Sequence, residues 1–264
     1  MDPRMILRRQ RGLTLIELMI ALMLSLMIMG LVFTSVLADG ATYEASRSSN
    51  QLIHKSRMSL HSMRLYLQQA GYREFDQIVT DQQVPNHQNN SVAGINFDWD
   101  DGQIIQAIDN TAAAGILAGS DVIAIRFFGS DPANGEVYRC DGSTLAAGVI
   151  DTMVFYLSAA EELFCEDGTG AHRFEQGIEQ MQLDFAPNRD GIYRYQTAND
   201  VADWSQIGHL RLALLVSREM SRAPIAANQT YDVLGTAVTK DSDGEGKVRQ
   251  VVRDNINLLN NRGV

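Results

Sequence analysis

The sequence predicts an α+β protein, a long N-terminal helix followed by an antiparallel β-rich domain, and three observations predict it. Residues 18–38 form an uncharged apolar run, and a four-and-three spacing of small or apolar residues then continues to Ala70. Beyond Ala70 the apolar residues gather in short runs bounded by Gly, Pro or Asp, which is the signature of strands. With 264 residues, 45% hydrophobic and 20% charged, the chain has the composition of a folded protein with a real core, and the residues beyond the apolar run suffice for one large domain.

Charge separates the two ends. The net charge is -10, so nucleic acid is excluded as a partner unless a basic patch offsets it, and the sequence shows none. Arg4, Arg8, Arg9 and Arg11 stand against Asp2 alone at the start, and basic residues flanking an apolar run stay on the cytoplasmic side. The 18–38 run, at 1.5 Å per residue, spans roughly 30 Å of hydrocarbon and reads as a membrane helix. A cleaved signal peptide is the competing reading. Its apolar core is about 7 to 15 residues, and "SVLADGA" (Ser35 to Ala41) only weakly imitates a cleavage site.

Glu17 stands at the entrance to this run, where an ionised acid is costly unless it snorkels or pairs. A cut after Gly12 makes Leu13 the N-terminus and places its amine one helical turn from Glu17, in the same chain or in a neighbour. Placement of Glu17 among the lipid headgroups is the alternative. The stretch "RQRGLTLIELMIAL" (Arg9 to Leu22) resembles the class III signal of type IV pilins and type II secretion pseudopilins: a basic leader, Gly, then an apolar helix with Glu at its fifth mature residue. That resemblance implies cleavage between Gly12 and Leu13 by a prepilin peptidase, N-methylation of Leu13, and a role for Glu17 in setting register as a subunit enters a filament.

Leu52, Ser56, Leu60, Met63, Leu67 and Ala70 then mark one face of a helix, with Gln51, Lys55, Arg57, His61, Arg64 and Gln68 around the rest. Gly71 is a sensible stop. One helix is therefore expected from Leu13 to Ala70, loosened near Gly30 or Gly40. "DVIAIRFFG" (121–129), "GVIDTMVFYLS" (148–158), "GIEQMQLDFAP" (177–187), "GHLRLALLVSR" (208–218) and "VVRDNINLLNNR" (251–262) read as strands of one antiparallel sheet whose one face packs on the amphipathic half of the helix. The segments 81–94 and 221–247 read as long loops.

The order of "QQAGYREF", "GSDVIAIRF", "GIEQMQLDF", "NDVADWSQIGHLRLALLVSR" and "INLLNNR" resembles the PilW family of type IV minor pilins, with the type II secretion pseudopilin J group as its nearest competitor. The resemblance implies a type IV pilin-like fold: a leader over 1–12, a membrane or filament-core helix over 13–38, the amphipathic half of the stalk helix over 39–71 and a periplasmic head over 72–264. It implies a minor pilin in a priming or tip complex, supporting pilus biogenesis, twitching motility and adhesion. The implied partners are other minor pilins, the major pilin, the prepilin peptidase and the inner-membrane assembly platform. The subunit is expected as a single-pass membrane protein first and in the pilus, at its tip, later. A pseudopilus-tip role and a tip adhesin are the alternatives.

Chemistry is sparse. Cys140 and Cys165 belong to no CxxC pair, so a disulfide is expected, with two unrelated buried thiols as the alternative. "NFDWDDG" (96–102) and "TKDSDGEGK" (239–247) alternate carboxylates but depart from the EF-hand pattern, so no metal is assigned. His54, His61, His87, His172 and His209 are scattered, and no catalytic motif accompanies them, so neither an enzyme nor a cofactor is expected. Trp99, Trp204, Tyr193 and Tyr195 are candidates for an adhesive surface, though aromatic residues on strands usually pack.

Overall fold

The computed structural model describes residues 14–188, 193–219, 228–240 and 246–260, except the side chain of Ala41. Helix α1 runs unbroken from Leu15 to Leu67, through Gly30 and Gly40. Two of its hydroxyls turn inward on the helix: Thr34 donates to the Leu31 carbonyl and Thr42 to that of Ala38. Such back-bonding satisfies polar atoms where lipid offers none. The chain divides into two compact units, residues 1–47 and 48–264.

In the second unit the expected face of α1 is confirmed. Leu52, Ser56, Met63, Leu67 and Ala70 are buried, and Leu60 packs beside them. The helix stops because Gly71 takes φ +70 and donates its N–H to the Arg126 carbonyl, while a Cβ there would lie 2.6 Å from Ile104 Cδ1. Asn260 caps the end from far along the chain, donating to the Gln68 and Ala70 carbonyls at 3.2 and 3.1 Å. Helix α2 is a single short turn, Phe75–Val79.

The strands are β1 His87–Val92, β2 Ile95–Trp99, β3 Ile105–Ile108, β4 Val122–Phe128, β5 Ile150–Leu157 and β6 Glu162–Asp167. They continue with β7 Gly170–Gln176, β8 Ile178–Pro187, β9 Ile207–Glu219, β10 Gln229–Val233, β11 Thr236–Lys240 and β12 Lys247–Asn257. All five strands expected from the sequence are present, the last shifted to begin at Lys247. The expected single sheet is instead two, both antiparallel: β3-β4-β5-β6-β7 and β12-β9-β8. The chain crosses between them at Gly177, whose φ is +63 and whose Cβ would meet the Ser217 carbonyl at 2.8 Å. One core, with Met63 and Leu67 of α1, Ile125, Phe127 and Phe155 of the first sheet and Leu183, Phe185 and Leu212 of the second, joins all three elements.

Strands occupy parts of both segments expected to be loops: 81–94 holds the first arm of one hairpin and 221–247 holds both arms of another. β1 and β2 form one, and they lay Ile95, Phe97 and Trp99 on Val122, Ala124 and Val154 of the first sheet's other face. β10 and β11 form the other, which sets Val233 on Ala213 and Leu215 of β9. This cover explains why β4 is buried at every position and why "VIAIRFF" does not alternate with polar residues. A disulfide joins Cys140 to Cys165 across a separation of 25 residues, which by loop entropy contributes about 3 kcal/mol to stability.

Asp121 holds the junction between the two sheets. Only 2% exposed, it accepts from the Asn110 and Leu183 backbone N–H groups at 2.9 and 2.7 Å, and its own N–H donates to the Met181 carbonyl. Burial pushes its carboxyl up to about 7; the two backbone donors oppose that shift, while the charge of Asp109 and a hydrogen bond to it add to it. The native state therefore keeps a proton that the unfolded chain releases near pH 3.8, and the stability this group contributes is lost as pH rises from there through about 7. We expect the melting temperature to fall by roughly 3–10 °C between pH 4 and pH 8 on account of this group, and Asp121→Asn to flatten that slope. An unchanged slope in the variant contradicts this assignment.

Candidate functional site

Gly12 and Leu13, expected from the sequence as the cleavage and methylation residues, lie outside the described residues. Glu17 lies inside them, and the structure gives it a partner in its own chain. Leu15 is the first helical residue, Thr14 stands before it as N-cap, and Glu17 occupies the third helical position. The Glu17 carboxylate accepts from the Thr14 N–H at 2.9 Å and its hydroxyl at 3.0 Å, and the Thr14 hydroxyl accepts from the Glu17 N–H at 3.3 Å. This reciprocal pair is a capping box, which satisfies donors that the start of a helix leaves open. The sequence expectations did not include Thr14, although T-x-x-E ahead of an apolar run is the signal for such a cap.

Beyond the cap the helix is apolar on every side. Leu15, Met23 and Phe33 keep 79%, 74% and 64% of their surface exposed, as do most residues to Leu37 in lesser degree. By length and composition this helix is able to cross a membrane. Its uncovered apolar surface has two physical outlets, lipid and the same surface of other copies or relatives.

The remaining candidates do not converge. His54, His61 and His87 are exposed, His172 meets Thr169, and His209 meets Asn257 and the ring of Tyr193. Asp98 and Asp101 accept from the Asn89 and Asn86 backbone N–H groups, both at 2.8 Å, so these acids shape the β1–β2 hairpin. Asp241, Asp243 and Glu245 lie outside the described residues. Among the described residues no three His, Cys, Asp or Glu side chains gather as metal ligands do. Trp99 is fully buried and unavailable to an adhesive surface. Trp204 packs edge-on against Phe185, and Arg211 lies 3.6 Å above the ring of Tyr195.

A capped apolar helix of lipid-spanning length, leading into antiparallel sheets, is the layout expected of a type IV pilin-like fold. Residues 7–33 match the prokaryotic N-terminal methylation motif, and residues 158–260 match the family described as type IV pilus-assembly protein W, PilW. These two matches support a PilW-type minor pilin, the first over the apolar helix and the second over the C-terminal strands. No curated protein matches it at a significant level. Among solved structures it is similar to the type IV-like pilin TTHA1219 from Thermus thermophilus, at 13% identity and a TM-score of 0.43, with 79% of this chain and 97% of that chain covered.

Proposed function

We propose that this chain is a PilW-type minor pilin that helps to start pilus assembly as part of a complex with other minor pilins, and stays at the pilus tip afterwards. The reading rests above all on the methylation motif being joined to an apolar helix whose side chains are exposed among the described residues. The prepilin peptidase cuts between Gly12 and Leu13, removing residues 1–12, and Leu13 is methylated. Residues 13–38 then hold the subunit in the inner membrane with its head, 72–264, in the periplasm, until the assembly platform passes it into the filament beside the major pilin. Glu17 sets axial register by pairing with the N-terminal amine of a neighbour. In a medium of low dielectric an unpaired acid is penalised, so a subunit out of register is disfavoured. The subunit performs no turnover of its own. Twitching motility and adhesion depend on it through the pili it starts.

A deletion strain tests this, with surface pili counted by electron microscopy and type II secretion assayed in the same cells. Lost pili with intact secretion are expected. Lost secretion with normal pili assigns the subunit to a pseudopilus instead. Intact-mass measurement of the wild-type subunit is expected to show a chain that begins at methylated Leu13.

A further inference from the structure

Beside the β1–β2 hairpin, on the face of the first sheet that the hairpin covers, lies a pocket of about 490 Å³. Strand register builds its floor. Arg126 on β4 stands opposite Thr152 on β5, and Val154, two residues on, stands opposite Glu166 on β6. Arg126, Thr152 and Glu166 therefore rise on one face, and Asn90 of β1 closes over them by donating to the Thr152 hydroxyl at 2.7 Å.

Arg126 is the anomaly in this pocket. Its residue is 2% exposed, yet no carboxylate pairs with it among the described residues. Nη1 donates to the Pro85 carbonyl at 2.7 Å, the guanidinium lies 5.3 Å from the centre of the Trp99 ring, and Nε is buried without an acceptor among the described residues. Trp99 Nε1 is a second buried donor without one. The acids of the pocket wall are already engaged. Glu166 accepts from the Ala93 N–H and the Tyr156 hydroxyl, Asp151 from Arg139 Nε and the Thr152 N–H, and Asp167 from the Cys140 and Thr169 N–H groups. The unmet demand is for an acceptor carrying negative charge, because a buried cation and buried donors without partners are both costly.

We propose that this pocket binds a small organic monocarboxylate, held by the Arg126 guanidinium that lines it. A planar carboxylate matches that fork, whereas the three acids in the wall oppose the second charge of a phosphate. Asn90 and Thr152 are placed to hydrogen-bond an amide or hydroxyl next to the carboxylate. The volume suits a dipeptide or a single sugar acid. Burial lowers the Arg126 pKa to about 10, which leaves it charged at neutral pH. The site does not depend on how the pilus is primed.

Calorimetric titration of the full chain in detergent micelles tests the site with matched probes. N-acetyl-Ala-Ala is compared with its C-terminal amide, galacturonate with galactose, and inorganic phosphate is added separately. At least one carboxylate is expected to bind at least about tenfold more tightly than its neutral twin and than phosphate, and the pair that shows it identifies a peptide terminus or a sugar acid as the source. In protein shown to be folded by its melting curve, Arg126→Lys is expected to weaken binding about tenfold, and Glu166→Gln to strengthen it about threefold. The proposal is overturned if no carboxylate binds below about 10 mM, if neutral twins or phosphate bind equally well, or if folded Arg126→Lys binds as wild type does. If Arg126→Lys does not fold, an unchanged affinity in Glu166→Gln overturns it.

Discussion

Glu17→Ala and Glu17→Gln are both expected to leave the subunit in the membrane fraction and to lower surface pili below about a tenth of the wild-type count. The pair of variants matters because Glu17 has two uses. It closes the capping box with Thr14 inside one chain, and the proposed assembly asks for its charge in another. Gln at the third helical position completes a capping box as Glu does, but it brings no charge to a neighbour's amine. If Glu17→Gln forms pili in wild-type numbers while Glu17→Ala does not, the carboxylate serves the cap and the register reading fails. Thr14→Ala is the converse variant. It removes the cap oxygen and keeps the charge, so under charge pairing it is expected to retain most of the pili.

The parts of the fold that the sequence reveals are those whose partners are near in sequence or whose burial is one-sided. The α1 face is legible because Leu52, Ser56, Leu60, Met63 and Leu67 repeat with the helix itself. The strands β4, β5, β8 and β9 are legible as runs of branched and aromatic residues. β1, "HQNNSV", and β7, "GAHRFEQ", carry no such run, because none of their residues is fully buried and their pairing rests on backbone. Evidence for the hairpins lay in other strands. A sheet with one wet face alternates, and "VIAIRFF" and "LRLALLV" do not, so each sheet needed cover on its second face. At the N-terminus the T-x-x-E pattern was readable as a cap. The pocket was not readable, since Arg126, Thr152 and Glu166 meet only through pairing across three strands.

Glu179→Ala is expected to destabilise the protein by roughly 3–5 kcal/mol, the largest stability loss we expect from replacing one ionisable residue. Glu179 sits on β8 at 0% side-chain exposure, with Arg249 of β12 donating to it at 2.7 Å and Lys240 of β11 standing 3.6 Å away. Its other oxygen, Oε1, has no hydrogen bond among the described residues and faces Lys247 at 3.8 Å. Lys240 and Lys247 also reach Glu161, at 3.3 and 3.4 Å, so two acids and three cations tie the second sheet to the β10–β11 hairpin and to the turn before β6. Burial pushes the Glu179 carboxyl up, but hydrogen bonds from Arg249 and Ser217 and the charges of Arg249 and Lys240 outweigh it and hold it below the usual range. Removing Glu179 leaves the Arg249 side chain, 6% exposed, without that carboxylate in a site that water does not reach. Replacing both residues, Glu179→Leu with Arg249→Met, is expected to recover at least half of the loss, since an apolar pair needs no desolvation of charge. The sign of the pH dependence is opposite to that of Asp121. A lowered carboxyl contributes stability above its unfolded value near 4.5 and loses it as pH falls through the folded value, whereas Asp121 loses its contribution as pH rises through about 7. Urea titration at pH 3, 5 and 8 separates them: Glu179→Ala is expected to remove the loss at the acid end, and Asp121→Asn the loss at the alkaline end. If Glu179→Ala costs less than about 1 kcal/mol at pH 7, the cluster is solvated and the hairpin is held by its apolar contacts alone.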